Sequence, residues 1–237
     1  MLQILCVAGT DTEVGKTYVA ARLARDLRRR GVAVGVYKPV ASGCIRRHAE
    51  LSEKDQSLKK ATVPKRAVPK AGGDEPELLS LDAVRLWEAA GQPLTLSAVC
   101  PQCFEAPLAP PQAAKQAGKT VDVDALYGGA SRWVGHCDQL IIEGAGGLFS
   151  PLADGVLNID LFRRWPDAQI VLVAANRLGA IHQVIASVRA AEHAGLAIER
   201  VILSSASPHG DASTPTNAQQ IRRYCPGQLV TELAWGE

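Results

Sequence analysis

The residues with the clearest chemical potential form the stretch VAGTDTEVGKT, which covers residues 7–17. Gly15, Lys16 and Thr17 follow one another at its end. A lysine beside a glycine-containing turn can neutralise the outer phosphates of a nucleotide, and the hydroxyl of the next threonine can ligate Mg²⁺. Five residues separate the two glycines, whereas the strict phosphate-loop pattern has four. The stretch predicts a nucleotide phosphate site, with an ordinary turn between a strand and a helix as the alternative.

The elements on either side of this turn would complete a phosphate site. Residues 2–8 are an apolar run rich in aliphatic side chains, which is typical of a strand. Val19, Leu23 and Leu27 then recur at helical spacing. A helix that begins at Lys16 directs unpaired backbone N–H groups and the positive end of its dipole towards one anion.

Two further charged residues stand at the ends of predicted strands. Lys38 ends the run VAVGVYK and is held extended by the following Pro39. Glu143 ends the unbroken apolar run of residues 138–143. Because ligands of open α/β sheets bind where parallel strands end, both side chains are expected beside the phosphate loop. The alternatives are an ordinary surface lysine and an acid that only caps a glycine-rich turn.

Strand and helix patterns alternate through the rest of the chain. Residues 168–176 and 200–205 are apolar runs that predict strands, and Ile181, Val184 and Val188 predict a helix between them. Successive strand–helix units build parallel sheets with right-handed crossovers. The sequence predicts one doubly wound α/β domain over residues 1–237, with about seven mostly parallel strands and helices on both faces.

Residues 44–77 differ in composition from the rest of the chain. They contain eight Lys or Arg, six Asp or Glu, three Pro and no aromatic residue. Such a segment buries too little apolar surface to offset its ordering entropy. A mobile surface insertion is therefore predicted, and a basic recruitment arm is the alternative.

Overall charge and hydropathy exclude several classes of function. The formal net charge is +2 and the isoelectric point is ≈ 8.2, which gives no argument for nucleic acid or a membrane surface as partner. The N-terminus lacks a basic segment followed by a long apolar run, so it predicts a core strand rather than a signal peptide. A cytoplasmic enzyme with small-molecule partners is expected.

The six cysteines are expected to be free thiols, because nothing in the sequence indicates export. Cys100 and Cys103 form a C-P-Q-C pair. A structural zinc site needs two more ligands at suitable spacing, and no second CxxC or HxxxH occurs. A metal or redox role for this pair is the less favoured alternative.

Three stretches together resemble the signature sequences of one enzyme family, dethiobiotin synthetase. They are GTDTEVGKT at residues 9–17, YKPVASG at 37–43 and EGAGGLFSPL at 143–152. The resemblance implies ATP-dependent ring closure of diaminopelargonic acid with CO₂ to give dethiobiotin, ADP and phosphate. It implies a carbamate, then a carbamic-phosphoric anhydride, Mg²⁺ as cofactor, and a homodimer with the substrate site at its interface.

The same resemblance implies roles for individual residues. Those expected to act on the carbamate or the transferred phosphoryl group are Lys38, Lys16, Thr12 and Ser42. Those expected to hold ATP are Glu13, Val14, Gly15, Lys16, Thr17 and Ser204. The expected Mg²⁺ ligands are Thr17, Asp82 and Glu143. The substrate is expected against Ser42, Gly146, Gly147 and His182.

At some positions the sequence departs from the family or permits another interpretation. His182 stands where the family has an Asn that contacts the substrate carboxylate, and an imidazole can still donate to a carboxylate. Ser204 stands where an Asn often binds adenine. Asp82 opens a predicted helix, where an acid is also common for capping alone.

Two other functions remain as alternatives. A nucleotide-dependent dimerisation switch of the partition-ATPase type would carry a second lysine early in the phosphate loop, where this chain has Asp11 and Thr12. An inactive relative retained for binding would be consistent with the changes at His182 and Ser204.

Overall fold

A parallel β-sheet forms the centre of the molecule. The computed structural model describes residues 2–46, 78–205 and 207–236. The strands in this part of the chain are β1 (Gln3–Gly9), β2 (Val34–Tyr37), β3 (Ile45–Arg46), β4 (Leu78–Leu79), β5 (Gln139–Gly147), β6 (Pro151–Ala153), β7 (Val156–Leu157), β8 (Gln169–Ala175), β9 (Arg200–Ser204) and β10 (Leu229–Leu233). The central sheet has the order β10-β9-β8-β1-β5-β2, and its neighbouring strands are parallel. The α/β prediction is confirmed, but the described sheet has six strands rather than about seven.

Helices connect and cover these strands. They are α1 (Lys16–Arg29), α2 (Leu81–Ala89), α3 (Leu96–Val99), α4 (Pro110–Gln116), α5 (Val123–Gly128), α6 (Asn158–Phe162), α7 (Ala180–His193) and α8 (Thr214–Tyr224). A 3₁₀ helix, Gly129–Trp133, follows α5 directly. The strongly amphipathic α1 buries Val19, Ala20 and Ala24 against the sheet, as its apolar spacing predicts.

The chain reverses its direction of travel across the sheet at β1. From β1 it goes first to β2 on one side, and later to β8, β9 and β10 on the other. β1 itself pairs with β5 and β8, so it occupies an interior position. In open α/β sheets such a reversal leaves a crevice outside the carboxyl ends of the strands. The phosphate loop lies at this crevice because it follows β1 directly.

β5 continues beyond the point at which the sequence pattern places its end. Glu143 is level with Val7 of β1, and the strand runs on through the glycines to Gly147, which pairs with Gly9 after a local irregularity. A β-carbon on Gly144 would lie 2.2 Å from Asn158 Oδ1, so the absence of a side chain permits this close packing. The acid is therefore inside a strand and not in a glycine-rich turn.

Of the predicted insertion, residues 44–77, only residues 44–46 lie within the described residues. Cys44 is buried, and β3 pairs antiparallel with β4. Residues 47–77 lie outside the described residues, so a mobile insertion there stays a prediction. In the described part of the chain no helix is long and apolar enough to span a membrane. All six cysteines are free thiols, as expected.

Candidate functional site

The turn between β1 and α1 has the backbone shape of an anion-binding loop. Glu13 and Gly15 have left-handed conformations, with φ of 55° and 91°. α1 begins without a side-chain hydrogen bond at its N-cap, so its first N–H groups are available to an anion. A β-carbon on Gly9 would lie 2.6 Å from the Asp11 carbonyl oxygen and 2.9 Å from Lys16 Nζ. Glycine at this position therefore lets the loop and its lysine fold back over the strand end.

Lys16 is buried inside this loop. Its Nζ donates a hydrogen bond of 2.8 Å to the carbonyl oxygen of Asp11. Desolvation by burial lowers the pKa of Lys16 to about 8, although the charge of Glu143 acts in the opposite direction. A ligand anion would restore the preference for the charged form.

Lys38 belongs to a second, more acidic group of side chains. Its Nζ donates to Glu143 Oε1 at 2.5 Å and lies 3.5 Å from Asp82 Oδ2. Burial alone would lower the pKa of Lys38, but the charges of Glu143 and Asp82 outweigh it and raise the pKa above its ordinary value. The lysine is therefore held in its charged form beside two carboxylates.

Three oxygen-bearing side chains meet next to the two lysines and could hold Mg²⁺. Thr17 Oγ1 donates to Glu143 Oε1 at 2.9 Å. Glu143 Oε2 is buried and has no hydrogen-bond partner among the described residues, so a hard cation could occupy this position. Ser80, not Asp82, caps α2 by accepting from the N–H of Ala83 at 3.2 Å. Asp82 is thereby left to face the site.

This donor set fits Mg²⁺ rather than a softer metal. Two carboxylates and a hydroxyl are hard oxygen donors, and Mg²⁺ commonly completes its shell with water and phosphate oxygens. Over residues 2–46, 78–205 and 207–236 there is no group of three or more His, Cys, Asp or Glu placed to hold a metal by themselves. The proposed set includes Thr17 and would be completed by the nucleotide.

Ten of the predicted residues line one cavity of about 740 Å³. They are Thr12, Glu13, Gly15, Lys16, Thr17, Lys38, Ser42, Asp82, Glu143 and Gly146. The structure thus brings the phosphate loop, the end of β2, the start of α2 and the glycines of β5 to the same place. The chemical roles of these residues remain proposals.

The other four predicted residues do not line this cavity. Val14 is buried beneath the loop, and the N–H of Gly147 donates to Ser150 Oγ at 2.9 Å. His182 is exposed on the first turn of α7. Ser204 was expected at the edge of a nucleobase pocket. It is buried, and a β-carbon on Gly15 would lie 2.7 Å from its hydroxyl oxygen, while its contact with a base stays a prediction.

The structure also identifies residues that the sequence pattern did not. Asn158 is fully buried, accepts a hydrogen bond from the N–H of Ala145 and donates to the carbonyl oxygens of Ala145, Gly147 and Ser150. It fixes the end of β5 that follows Glu143. Arg85 adds a cation to the cavity lining. No spacing rule points to Asn158, because its contacts are set by the hairpin of β6 and β7.

Known proteins match this chain over nearly its whole length. The family model described as an AAA domain matches residues 3–237. The ATP-dependent dethiobiotin synthetase BioD of Rhodopirellula baltica is 44% identical over 98% of this chain and 84% of its own length. The proteins of the same name from Anaeromyxobacter dehalogenans and Bacillus subtilis are 34% and 32% identical, over 98% and 92% of this chain and 89% and 81% of their own lengths.

A solved structure supports the fold alone. The septum site-determining protein MinD of Pyrococcus horikoshii, complexed with Mg-ADP, superposes with a TM-score of 0.52 at 14% identity. The alignment covers 99% of this chain and 82% of that one. At this identity the likeness extends to the α/β architecture and not to the reaction.

Proposed function

Because this chain belongs to the ATP-dependent dethiobiotin synthetase family, we propose that it is a ligase that converts diaminopelargonic acid, CO₂ and ATP into dethiobiotin, ADP and phosphate. The observation that carries this proposal is the meeting of Lys16, Thr17, Lys38 and Glu143 in one cavity. Phosphoryl transfer requires positioned charge more than covalent help from the protein. Two buried lysines beside a phosphate loop meet that requirement.

In this proposal the two lysines have separate tasks. The N–H groups at the start of α1 and the Lys16 ammonium hold the β- and γ-phosphates of ATP. Lys16 exchanges its partner, the Asp11 carbonyl oxygen, for phosphate oxygens. Lys38, which Glu143 and Asp82 keep charged, faces the carbamate and stabilises the charge that develops as the phosphoryl group moves.

The same cavity holds the carbamate during the reaction. One amine of the substrate captures CO₂, and a carbamate oxygen then attacks the γ-phosphorus and releases ADP. The second amine attacks the carbamate carbon, the bond between that carbon and the bridging phosphate oxygen breaks, and phosphate leaves with a proton from the amine as the cyclic urea forms. Thr12 and Ser42 supply neutral donors at the carbamate, and the backbone of Gly146 leaves room for the substrate.

We further propose Thr17, Asp82 and Glu143 as the ligands of Mg²⁺. Bound there, the ion would neutralise charge on the ATP phosphates. The unpartnered Glu143 Oε2 supports this assignment. The Asp82 side chain is 43% exposed, so its carboxylate can reorient towards a cation.

A homodimer with the substrate carboxylate near His182 is part of the proposal. Leu178, at the turn before α7, is 81% exposed, and His182 is exposed close to it in sequence. A partner molecule covering this turn would bury the leucine and bring the imidazole to a neighbouring site. Light scattering of the protein tests this, since Leu178→Glu should convert a dimer into monomers.

The activity is tested by phosphate release in mixtures that each lack one component. We expect rapid release only when diamine, bicarbonate, ATP and Mg²⁺ are all present, with dethiobiotin formed in equal amount. Release of phosphate that is unaffected by the diamine would overturn the proposal and favour a nucleotide-dependent switch.

A further inference from the structure

Three thiols lie together behind the segment that carries Lys38 and Ser42. Cys100 Sγ and Cys103 Sγ are 3.7 Å apart, and the Cys44 thiol is close enough to influence the pKa of Cys103. Cys44 and Cys100 are buried, whereas Cys103 is partly exposed. None of the three has a place in the proposed reaction. Two thiols this close can form a disulfide, which makes the pair a candidate redox site.

The thiols lie in a segment that is tied to the site by backbone hydrogen bonds. Residues 99–104 bond to residues 38–44 at four points. These are Lys38 N–H to the Val99 carbonyl, Ala41 N–H to the Gln102 carbonyl, Phe104 N–H to the Ala41 carbonyl and Cys44 N–H to the Phe104 carbonyl, at 2.8, 2.9, 2.9 and 3.0 Å. A movement of Cys100 or Cys103 is therefore passed directly to the residues beside the cavity.

Cys103 has the environment of a reactive thiol. Hydrogen bonds from the thiols of Cys100 and Cys44 lower its pKa, and a backbone contact with Ser80 and the charge of Lys38 act in the same direction. The hydrogen bond to Cys103 and burial raise the pKa of Cys100, which therefore keeps its proton. The partly exposed sulfur thus has thiolate character, and a protonated sulfur lies next to it.

We propose that Cys100 and Cys103 form a reversible redox site that controls the position of Lys38 and Ser42, an inference that rests on the proposed function. The oxidant is a low-molecular-weight disulfide, RSSR. The Cys103 thiolate attacks one sulfur of RSSR, forms a mixed disulfide and releases RS⁻. Cys100 then attacks the Cys103 sulfur, expels the second RS⁻ and gives up its proton to a released thiolate. Two protein thiols are oxidised and one RSSR is reduced to two thiols.

Forming a disulfide between Cys100 and Cys103 requires a movement of the chain that also displaces Lys38 and Ser42. The sulfur atoms must approach from 3.7 Å to about 2.0 Å. The four hydrogen bonds between residues 99–104 and 38–44 pass part of this movement to Lys38 and Ser42. A misplacement of about 1 Å at a reacting group can reduce turnover about a hundredfold. We therefore expect oxidised enzyme to be slower than reduced enzyme by about tenfold or more.

The experiment compares reduced enzyme with enzyme treated with oxidised glutathione. Mass spectrometry should show the peptide containing Cys100 and Cys103 lighter by two hydrogens, and phosphate release with diamine should fall and return with dithiothreitol. Cys103→Ser should be active and insensitive to the oxidant, whereas Cys100→Ser should be active when reduced, stop at the mixed disulfide on Cys103 and form no lighter peptide. Cys44→Ser retains the reacting pair, and Cys225→Ser removes a buried thiol of α8's C-cap. Cys225→Ser should respond like the unchanged enzyme, and Cys44→Ser should form the same bond more slowly, because one of the interactions that lower the pKa of Cys103 is lost.

The possible contradictions are separable. No bond between Cys100 and Cys103, or preferential bonding through Cys44, overturns the inference whatever the activity. A mapped bond with turnover within about twofold of the reduced enzyme also overturns it. Reduced enzyme that forms no dethiobiotin contradicts the proposed function instead, while the mass measurement still decides whether this pair is the reactive one.

Discussion

Lys16 and Lys38 line the same cavity, but they are supported by different parts of the molecule. Lys16 is held by the backbone of its own loop, five residues away at Asp11, and burial lowers its pKa to about 8. Lys38 is held by Glu143 and Asp82, which are distant in sequence, and its pKa is raised. The charged form of a lysine inside a phosphate loop is favoured once an anionic ligand binds. A lysine paired with carboxylates is stabilised in its charged form already in the free enzyme.

Removing either lysine should give the largest effects. We expect Lys16→Ala and Lys38→Ala each to lower turnover by about 100-fold or more, as for loss of a charge-stabilising donor. Only Lys16→Ala should also weaken ATP binding strongly, because in the proposed mechanism Lys38 acts on the transferred group and not on the bound nucleotide. Steady-state phosphate release and calorimetric ATP binding measure the two effects. The exposed Lys119→Ala is the control, and equal loss of ATP binding in both variants would remove the distinction between the lysines.

The two lysines should have opposite effects on stability in the absence of nucleotide and Mg²⁺. Lys38→Met leaves buried Glu143 without its cation and should destabilise by about 3–5 kcal/mol. Lys16→Met removes a charge that the folded state disfavours and should stabilise by about 1–3 kcal/mol at pH 7. Urea unfolding measures both. Destabilisation by Lys16→Met at neutral pH would contradict this assignment.

The pH dependence follows from the signs of the two shifts. For Lys16 the folded pKa of about 8 is below the ordinary value of 10.5, so the unfolded chain holds the proton longer. The cost of its charge is present below about pH 8 and disappears as the pH rises to 10.5. The advantage of Lys16→Met should vanish over this window. For Lys38 the raised pKa gives stability that is complete below 10.5 and is lost only at higher pH.

The long-range support of Lys38 can be weakened without touching a charged residue. Asn158→Ala removes the amide that fixes the end of β5 and should cost about 1–3 kcal/mol of stability. It should also lower the turnover of folded enzyme about tenfold, because the hydrogen bonds that hold the β5 backbone near Glu143 and Gly146 in position are lost. Asn217→Ala is the matched control, since this buried amide binds Asn176 and not β5. Similar turnover in the two variants would show that Asn158 is only structural.

The smallest effect is expected beneath the phosphate loop, at Ser204. Its buried hydroxyl lies against Gly15, so Ser204→Ala should change the ratio of kcat/KM for ATP and GTP by less than about twofold. Ser205→Ala provides the neighbouring control. A change above about tenfold would mean that the hydroxyl turns towards the base when nucleotide binds.

The phosphate loop is the part of the site that could be predicted from residue spacing. Strand, glycine turn and helix are adjacent in the chain, so local spacing was sufficient to predict the position of Lys16 and Thr17. The ends of β2 and the position of Glu143 were also predictable, because parallel strands bring their carboxyl ends to one edge. The end of β5 was not predictable. Glycines usually mark a turn, but in this chain they continue the strand to Gly147.

Which side chains touch depends on how the elements pack. Packing pairs Lys38 with Glu143, caps α2 with Ser80 so that Asp82 faces the site, and places Ser204 under Gly15. It also brings Asn158 onto β5. These contacts join segments far apart in sequence, and each depends on the distance between packed elements rather than on residue spacing. A pattern along one chain carries no information on such distances until the sheet and its helices are assembled.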